Sequence, residues 1–213
     1  MEIKELWRSP LPQLQEAPVP ELVFSEFETS EPVAKMREAD RNRCEKPRIY
    51  YSDSQTDVTS AIVQLANDFR SRNYARIGII LFDLKLVSQL LKEVGKFNGP
   101  VHQVRERGEA LAAVPRSGTY VMTPETCGGL EFDAVILAGV DEGRVPPPIG
   151  NLGPQGYLMM EEDATKELYT AITRARYQLV FVSDSSVGIS PMLKASINSA
   201  LLDEINWCDY KTK

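Results

Sequence analysis

Two short stretches of this chain concentrate glycine, hydroxyl, carboxylate and guanidinium groups that could meet a ligand. The first is Thr123-Pro-Glu-Thr-Cys-Gly-Gly-Leu-Glu-Phe-Asp133, and the second is Leu168-Tyr-Thr-Ala-Ile-Thr-Arg-Ala-Arg176. Gly128 and Gly129 open backbone conformations closed to other residues and let a ligand approach amide groups closely. Glu131 follows them as a carboxylate at a strand start, either a ligand contact or an ordinary surface charge. A hydroxyl such as that of Thr123 can bond a phosphate oxygen. Arg174, near the end of an expected helix, has two readings. It complements the helix C-terminus or pairs with an acid, or it faces a cleft where an anionic ligand could meet it.

The parts of a phosphoryl-transfer site that hold triphosphate and magnesium are missing from the sequence. No G-x-x-x-x-G-K-[ST] occurs, so the chain has no phosphate-cradling loop. No Asp-Glu pair follows an apolar strand to hold magnesium; Asp141-Glu142 comes closest, but Gly143 and a proline loop follow it. Cys44, Cys127 and Cys208 are far apart, and His102 is the single histidine, so no metal site is expected. The formal net charge of −6 excludes a globally basic nucleic-acid binder and leaves only a local patch to contact phosphates.

The two stretches resemble motifs V and VI of the UvrD/Rep family of superfamily 1 DNA helicases, roughly T-x-H-x-x-K-G-L-E-F-D and L-Y-V-A-x-T-R-A. The resemblance implies a RecA-like C-terminal domain (domain 2A) that completes an ATP site without a P-loop of its own. It implies that Arg174 is a catalytic arginine finger on the γ-phosphate and that Glu131, with Gly129, lies by the nucleotide's ribose. It also implies that Thr123 and the position of Glu125 face single-stranded DNA. Glu125 stands where the family usually has histidine, and Gly128 where it usually has lysine, so positive charge is lost on that side. Leu6-Trp-Arg-Ser9 is similar to the N-Y-R-S of motif IV, making Arg8 another candidate nucleotide contact. Walker residues and most of the Mg2+ coordination would come from an N-terminal RecA-like domain, in the same or another chain. ATP hydrolysis by this chain alone is not expected.

Alternating elements must position these residues. Arg48–Tyr51 reads as a strand and 56–71 as an amphipathic helix with Val58, Ile62, Leu65, Ala66 and Phe69 inward. Ile77–Leu81 is a strand buried on both faces. Lys85–Val94 is a helix with Leu86, Leu90, Leu91 and Val94 inward. Val101–Val104, Thr119–Met122, Ala134–Leu137 and Leu179–Val182 are further strands. Val145–Gly156 reads as a surface loop, Met160–Arg176 as a helix with acids first and arginines last, and Pro191–Trp207 as a terminal helix. This alternation predicts an α/β fold, a three-layer αβα domain with a mostly parallel sheet. Ligands are then expected beyond the carboxyl ends of the strands, where residues 123–131 would lie.

The expected organisation is an extended arm or linker over 1–47, holding six of the fourteen prolines, and a RecA-like domain over 48–213. The basic-leaning residues Lys35, Arg37, Arg41, Arg43, Lys46 and Arg48 fall at that boundary. No apolar run approaches a membrane span, and the first residues lack the core of a signal peptide, so a cytoplasmic protein is expected. The leading reading is the C-terminal motor domain of an ATP-dependent DNA helicase or translocase. The alternative is a non-catalytic helicase-derived module that binds protein or nucleic acid. The missing Walker residues, Glu125 and Gly128 favour the alternative, and Arg174 opposes it.

Overall fold

Short β-branched runs and amphipathic helices alternate along the chain, and several helices start where a side-chain oxygen receives a free amide. The computed structural model of the protein describes residues 44–106, 117–148 and 154–211. Its elements are β1 (Arg48–Ser52), α1 (Gln55–Ser71), β2 (Arg76–Leu81), α2 (Leu84–Lys92), β3 (Val101–Gln103), β4 (Gly118–Met122) and β5 (Phe132–Ala138). They continue with α3 (Pro154–Ile172), β6 (Ala175–Asp184), α4 (Pro191–Asn198), β7 (Asp203–Asn206) and α5 (Trp207–Lys211). Ser54 Oγ accepts from the Asp57 amide at 3.2 Å to open α1, and Asp83 Oδ1 accepts from the Lys85 amide at 2.8 Å to open α2.

The seven strands form one sheet in the order β3-β4-β2-β5-β6-β1-β7, and every strand pairing is parallel. Parallel strands need crossovers, which cover both faces and account for the burial of every residue of β5, apolar throughout after Asp133. One face packs on α1, α2 and α5, with Val58, Ile62, Leu65, Phe69, Leu86 and Trp207 buried there. The other packs on α3, α4 and the segment before β5, through Leu168, Ala171, Leu193, Cys127 and Leu130. This is the three-layer αβα arrangement expected from sequence, with a sheet that is wholly parallel.

Several boundaries differ from expectation. The helix placed at 160–176 runs over Pro154–Ile172. Proline is tolerated in a first helical turn, so the end of the supposed proline loop is helical. The other end stops early because Ala175 pairs with Phe132 in the sheet. Glu161–Asp163 therefore lie mid-helix, Arg174 lies past it and Arg176 is on β6. Val145, assigned to a surface loop, is buried in the core. On α2, Leu86 and Leu90 are buried and Leu91 is half-buried, but the helix ends at Lys92, and Val94 lies in a following 3-10 turn, 38% exposed.

The terminal helix expected over 191–207 is instead α4, β7 and α5. Ala200, with φ of 54°, lies just beyond α4, and Asp203–Asn206 then pairs with the open edge of β1. Trp207 is buried against Tyr50, their ring centroids 5.9 Å apart. The expected arm, as far as residue 43, lies outside the described residues, and so does Arg8.

Candidate functional site

The two sequence stretches converge at the amino ends of β5 and β6, which are neighbours in the sheet. The Phe132 amide donates to the Arg174 carbonyl at 2.9 Å, so the first residue of β5 sits beside the residue that precedes β6. The half-buried Arg174 guanidinium then reaches across. Nη1 donates to the Leu130 carbonyl at 3.1 Å, Nε to the Thr170 carbonyl at 3.0 Å and Nη2 to Thr173 Oγ1 at 3.1 Å. Thr170 belongs to the last turn of α3, whose carbonyls have no partner within the helix. Arg174 thus caps that helix and ties it to the loop before β5. All three acceptors are neutral, so no carboxylate in this set offsets its charge.

Glu131 is exposed between Leu130 and Phe132, at the same edge. Gly129 has φ of +80°, and a Cβ there would meet nothing within 4 Å. Glycine serves here to turn the chain and leaves its backbone open to an approaching ligand.

The next two residues anchor this loop. Phe132 is buried over Gly78, where a Cβ would come within 2.6 Å of the ring. Asp133 is buried, and its Oδ2 accepts from the Ala75 and Arg76 amides at 2.8 and 2.9 Å. The carboxylate satisfies two amides at the start of β2 and fixes β5 against it. Arg70 braces the same turn, donating to the carbonyls of Tyr74 and Ala75 at 3.1 and 2.9 Å and to Ser117 Oγ at 2.9 Å.

Thr123 lies elsewhere. It follows β4, and Met122 stands level with Leu137 of β5, each opposite Ile80 of β2. Phe132 and Leu137 are five residues apart, about 16 Å along a strand. The segment 123–131 therefore crosses one sheet face from the carboxyl edge to the amino edge. The expectation that all of it lies beyond the carboxyl ends is corrected. That expectation holds for Thr123, whereas Gly129, Glu131 and Arg174 gather at the opposite edge. The reason is connectivity, since both β4 and β5 must run in the same direction.

Directly after Thr123, Pro124–Thr126 forms one 3-10 turn, in which Thr126 Oγ1 donates to the Thr123 carbonyl at 3.1 Å. Glu125 is exposed there and faces α3. The Glu167 carboxyl is held above the ordinary carboxylate range, first by burial and then by the charges of Glu125 and Asp163. Carboxylates from two elements thus crowd the side expected to meet a nucleic-acid backbone.

The carboxyl edge has its own polar network. Asp141 is almost wholly buried and accepts from Ser183 Oγ at 2.7 Å, while Arg144 bridges Asp141 and Asp83 at 3.3 and 2.9 Å. Burial raises the Asp141 carboxyl above its usual range, against the Ser183, Asp184 amide and Arg144 contacts that lower it. Asp141 is committed to this internal network. Among the described residues, no group of three or more His, Cys, Asp or Glu side chains is arranged to hold a metal ion.

Sequence reasoning therefore paired the residues of the amino edge and misplaced only their edge of the sheet. It missed Asp133 as an anchor and Glu167 as the neighbour of Glu125. Asp133 directly follows Phe132 in the first stretch, so its place was visible but its partners were not. Nothing in the sequence marks Glu167.

Residues 118–186 match the model of the UvrD-like helicase C-terminal domain. No curated protein matches the chain. Among solved structures, the C-terminal domain of a possible DNA helicase from Lactobacillus plantarum WCFS1 superposes with a TM-score of 0.56 at 20% identity, covering 84% of this chain and 99% of that one. That likeness shows the fold. An XPD helicase matches with a TM-score of 0.47 at 9% identity, over 75% of this chain and 35% of its own. The Pyrococcus furiosus Hef helicase domain matches with a TM-score of 0.46 at 13% identity, over 91% of this chain and 38% of its own. Among the described residues, no helix is long and apolar enough to cross a membrane.

Proposed function

We propose, from the premise that residues 118–186 belong to the UvrD-like helicase C-terminal domain family, that the chain is the C-terminal motor domain of an ATP-dependent DNA helicase or translocase. The observation that supports this most is the meeting of Arg174 with the Gly129–Glu131 loop at two adjacent strand starts. On this reading it would form one half of a nucleotide site. An open glycine backbone and an exposed carboxylate suit a ribose, and a guanidinium bonded only to neutral acceptors suits a phosphate. The other half, with triphosphate cradle and magnesium, would come from a Walker-bearing N-terminal domain.

In the proposed mechanism, ATP draws the two domains together, a hinge closure driven by contacts made only in the closed state. Arg174 exchanges its carbonyl partners for γ-phosphate oxygens. It stabilises the charge that grows on the transferred phosphoryl group as water attacks and ADP leaves. Thr123, at the other edge, would contact the backbone of single-stranded DNA beside Glu125. The chain is assigned to the cytoplasm on this reading, and residues 48–213 are taken as the RecA-like domain.

A second reading, a non-catalytic module that binds protein or nucleic acid, draws support from the crowding of Glu125 with Glu167. One experiment separates the two. ATP turnover is measured for a UvrD-type N-terminal domain carrying the Walker motifs, for this chain, and for both together on single-stranded DNA. Turnover only in the mixture or fusion supports the motor reading. Turnover of the N-terminal domain that is indifferent to this chain supports the module.

A further inference from the structure

The N-terminal half of α3 holds up little of the core. From Gln155 to Asp163 no side chain is buried, and burial begins only at Ala164. Two large apolar residues there are open to solvent, Leu158 at 62% and Met159 at 67%, and Tyr169 further along is 49% exposed. Helical spacing puts Leu158, Met159, Glu162, Asp163, Lys166 and Tyr169 on one outward face. Apolar side chains gathered on an exposed face are characteristic of an interaction surface.

The charge of this face selects the partner. α3 carries Glu161, Glu162, Asp163 and Glu167 against one lysine, and Lys166 is already engaged by Glu162 and Asp163 at 2.9 and 3.6 Å. Glu125 adds a further carboxylate from the neighbouring turn, close enough to act on Glu167. A phosphate backbone would meet repulsion from both elements. A cationic chain with apolar side chains would meet its complement in charge and its anchor points in Leu158 and Met159.

We propose that the outward face of α3, with Glu125, docks a polypeptide segment that carries lysine or arginine beside apolar side chains. The interaction is independent of the nucleotide edge, since Arg174 and Glu131 lie beyond the opposite end of the helix.

The test uses the whole chain and a fluorescein-labelled amphipathic peptide of leucine and lysine with i, i+4 spacing, followed by fluorescence anisotropy. The expected result is saturable binding that weakens as salt rises and falls about tenfold or more in Leu158→Ser/Met159→Ser, an anchor-residue loss. Glu162→Gln/Asp163→Asn should also weaken it, whereas Leu84→Ser, an equally exposed apolar site on α2, should not. Circular dichroism should report all three variants folded, because the altered side chains are at the surface. Equal binding to wild type and Leu158→Ser/Met159→Ser overturns the proposal, as does equal loss in Leu84→Ser. So does tighter binding of a single-stranded oligonucleotide at this face. Concentration-dependent dimerisation abolished by Leu158→Ser/Met159→Ser would assign the face to a second copy and equally overturn it.

Discussion

Arg174 Nη1 donates to the Leu130 carbonyl at 3.1 Å, closing a link between the end of α3 and the loop before β5. One side chain thus has two possible employments. In this conformation it holds the edge together, and in a closed nucleotide complex it would release that edge to meet a phosphate. The first employment has a measurable cost of its own. Arg174→Ala should lower stability by about 1–3 kcal/mol, the usual loss for hydrogen bonds to a charged group. Lysine, able to keep one carbonyl bond, should recover part of it. Urea unfolding of the three proteins checks this, and an unchanged midpoint for alanine would show that the capping bonds contribute nothing.

Asp133 should prove a stronger structural residue than Glu131, its near neighbour. Asp133→Ala leaves the Ala75 and Arg76 amides without their acceptor and should cost about 1–3 kcal/mol. Asp133→Asn keeps one oxygen for both amides and should cost less. Glu131→Ala, at an exposed position, should leave unfolding within about 0.5 kcal/mol of wild type.

Asp141 gives a pH signature. Burial raises its carboxyl above the ordinary value of 3.8, so in the window just above that value the folded chain holds a proton that the unfolded chain has released. Stability from this group is full below the unfolded value and is lost as pH rises through the folded one. The difference in stability between wild type and Asp141→Asn should therefore shift in favour of wild type as pH falls through that window. Thermal melts at a series of pH values measure it, and a pH-independent difference would show that Asp141 carries no raised value.

Glu125 and Glu167 set the nucleic-acid prediction. Binding of the chain to an oligo(dT) strand should be weak and fall steeply with salt. Glu125→Gln/Glu167→Gln removes two repelling charges and should tighten it several-fold. Unchanged affinity in the double variant would mean that this face does not border the strand.

Much of this architecture was legible because its signals are local. Ile77–Leu81 and Ala134–Leu137 are apolar without alternation, the mark of strands covered on both faces, and Val58 to Phe69 repeat at helical spacing. β7 was not legible, since Asp203–Asn206 has no strand character of its own and exists by pairing with the edge of β1. The helix ending at Ile172 was overextended for a similar reason, because a distant partner, Phe132, sets where the sheet takes over. The candidate site was legible as residue types in two motifs. Its placement at the amino edge was not, because that depends on how the segment 123–131 crosses the sheet. Nor was the present hydrogen bonding of Arg174, which depends on carbonyls that sequence does not label.

The most direct test of the motor reading is the ATP turnover of Arg174→Ala in the assembly with a Walker-bearing N-terminal domain, measured at a temperature where the variant is folded. A cation that acts on charge growing in the transition state affects kcat more than nucleotide affinity. The predicted result is a fall in kcat on the order of 10³-fold with little change in KM, and Arg174→Lys restores the fold but little of the rate because it lacks the planar fork. Glu131→Ala should instead raise KM and spare kcat. Wild-type turnover in a folded Arg174→Ala protein would contradict the account and leave Arg174 as the cap of α3 alone.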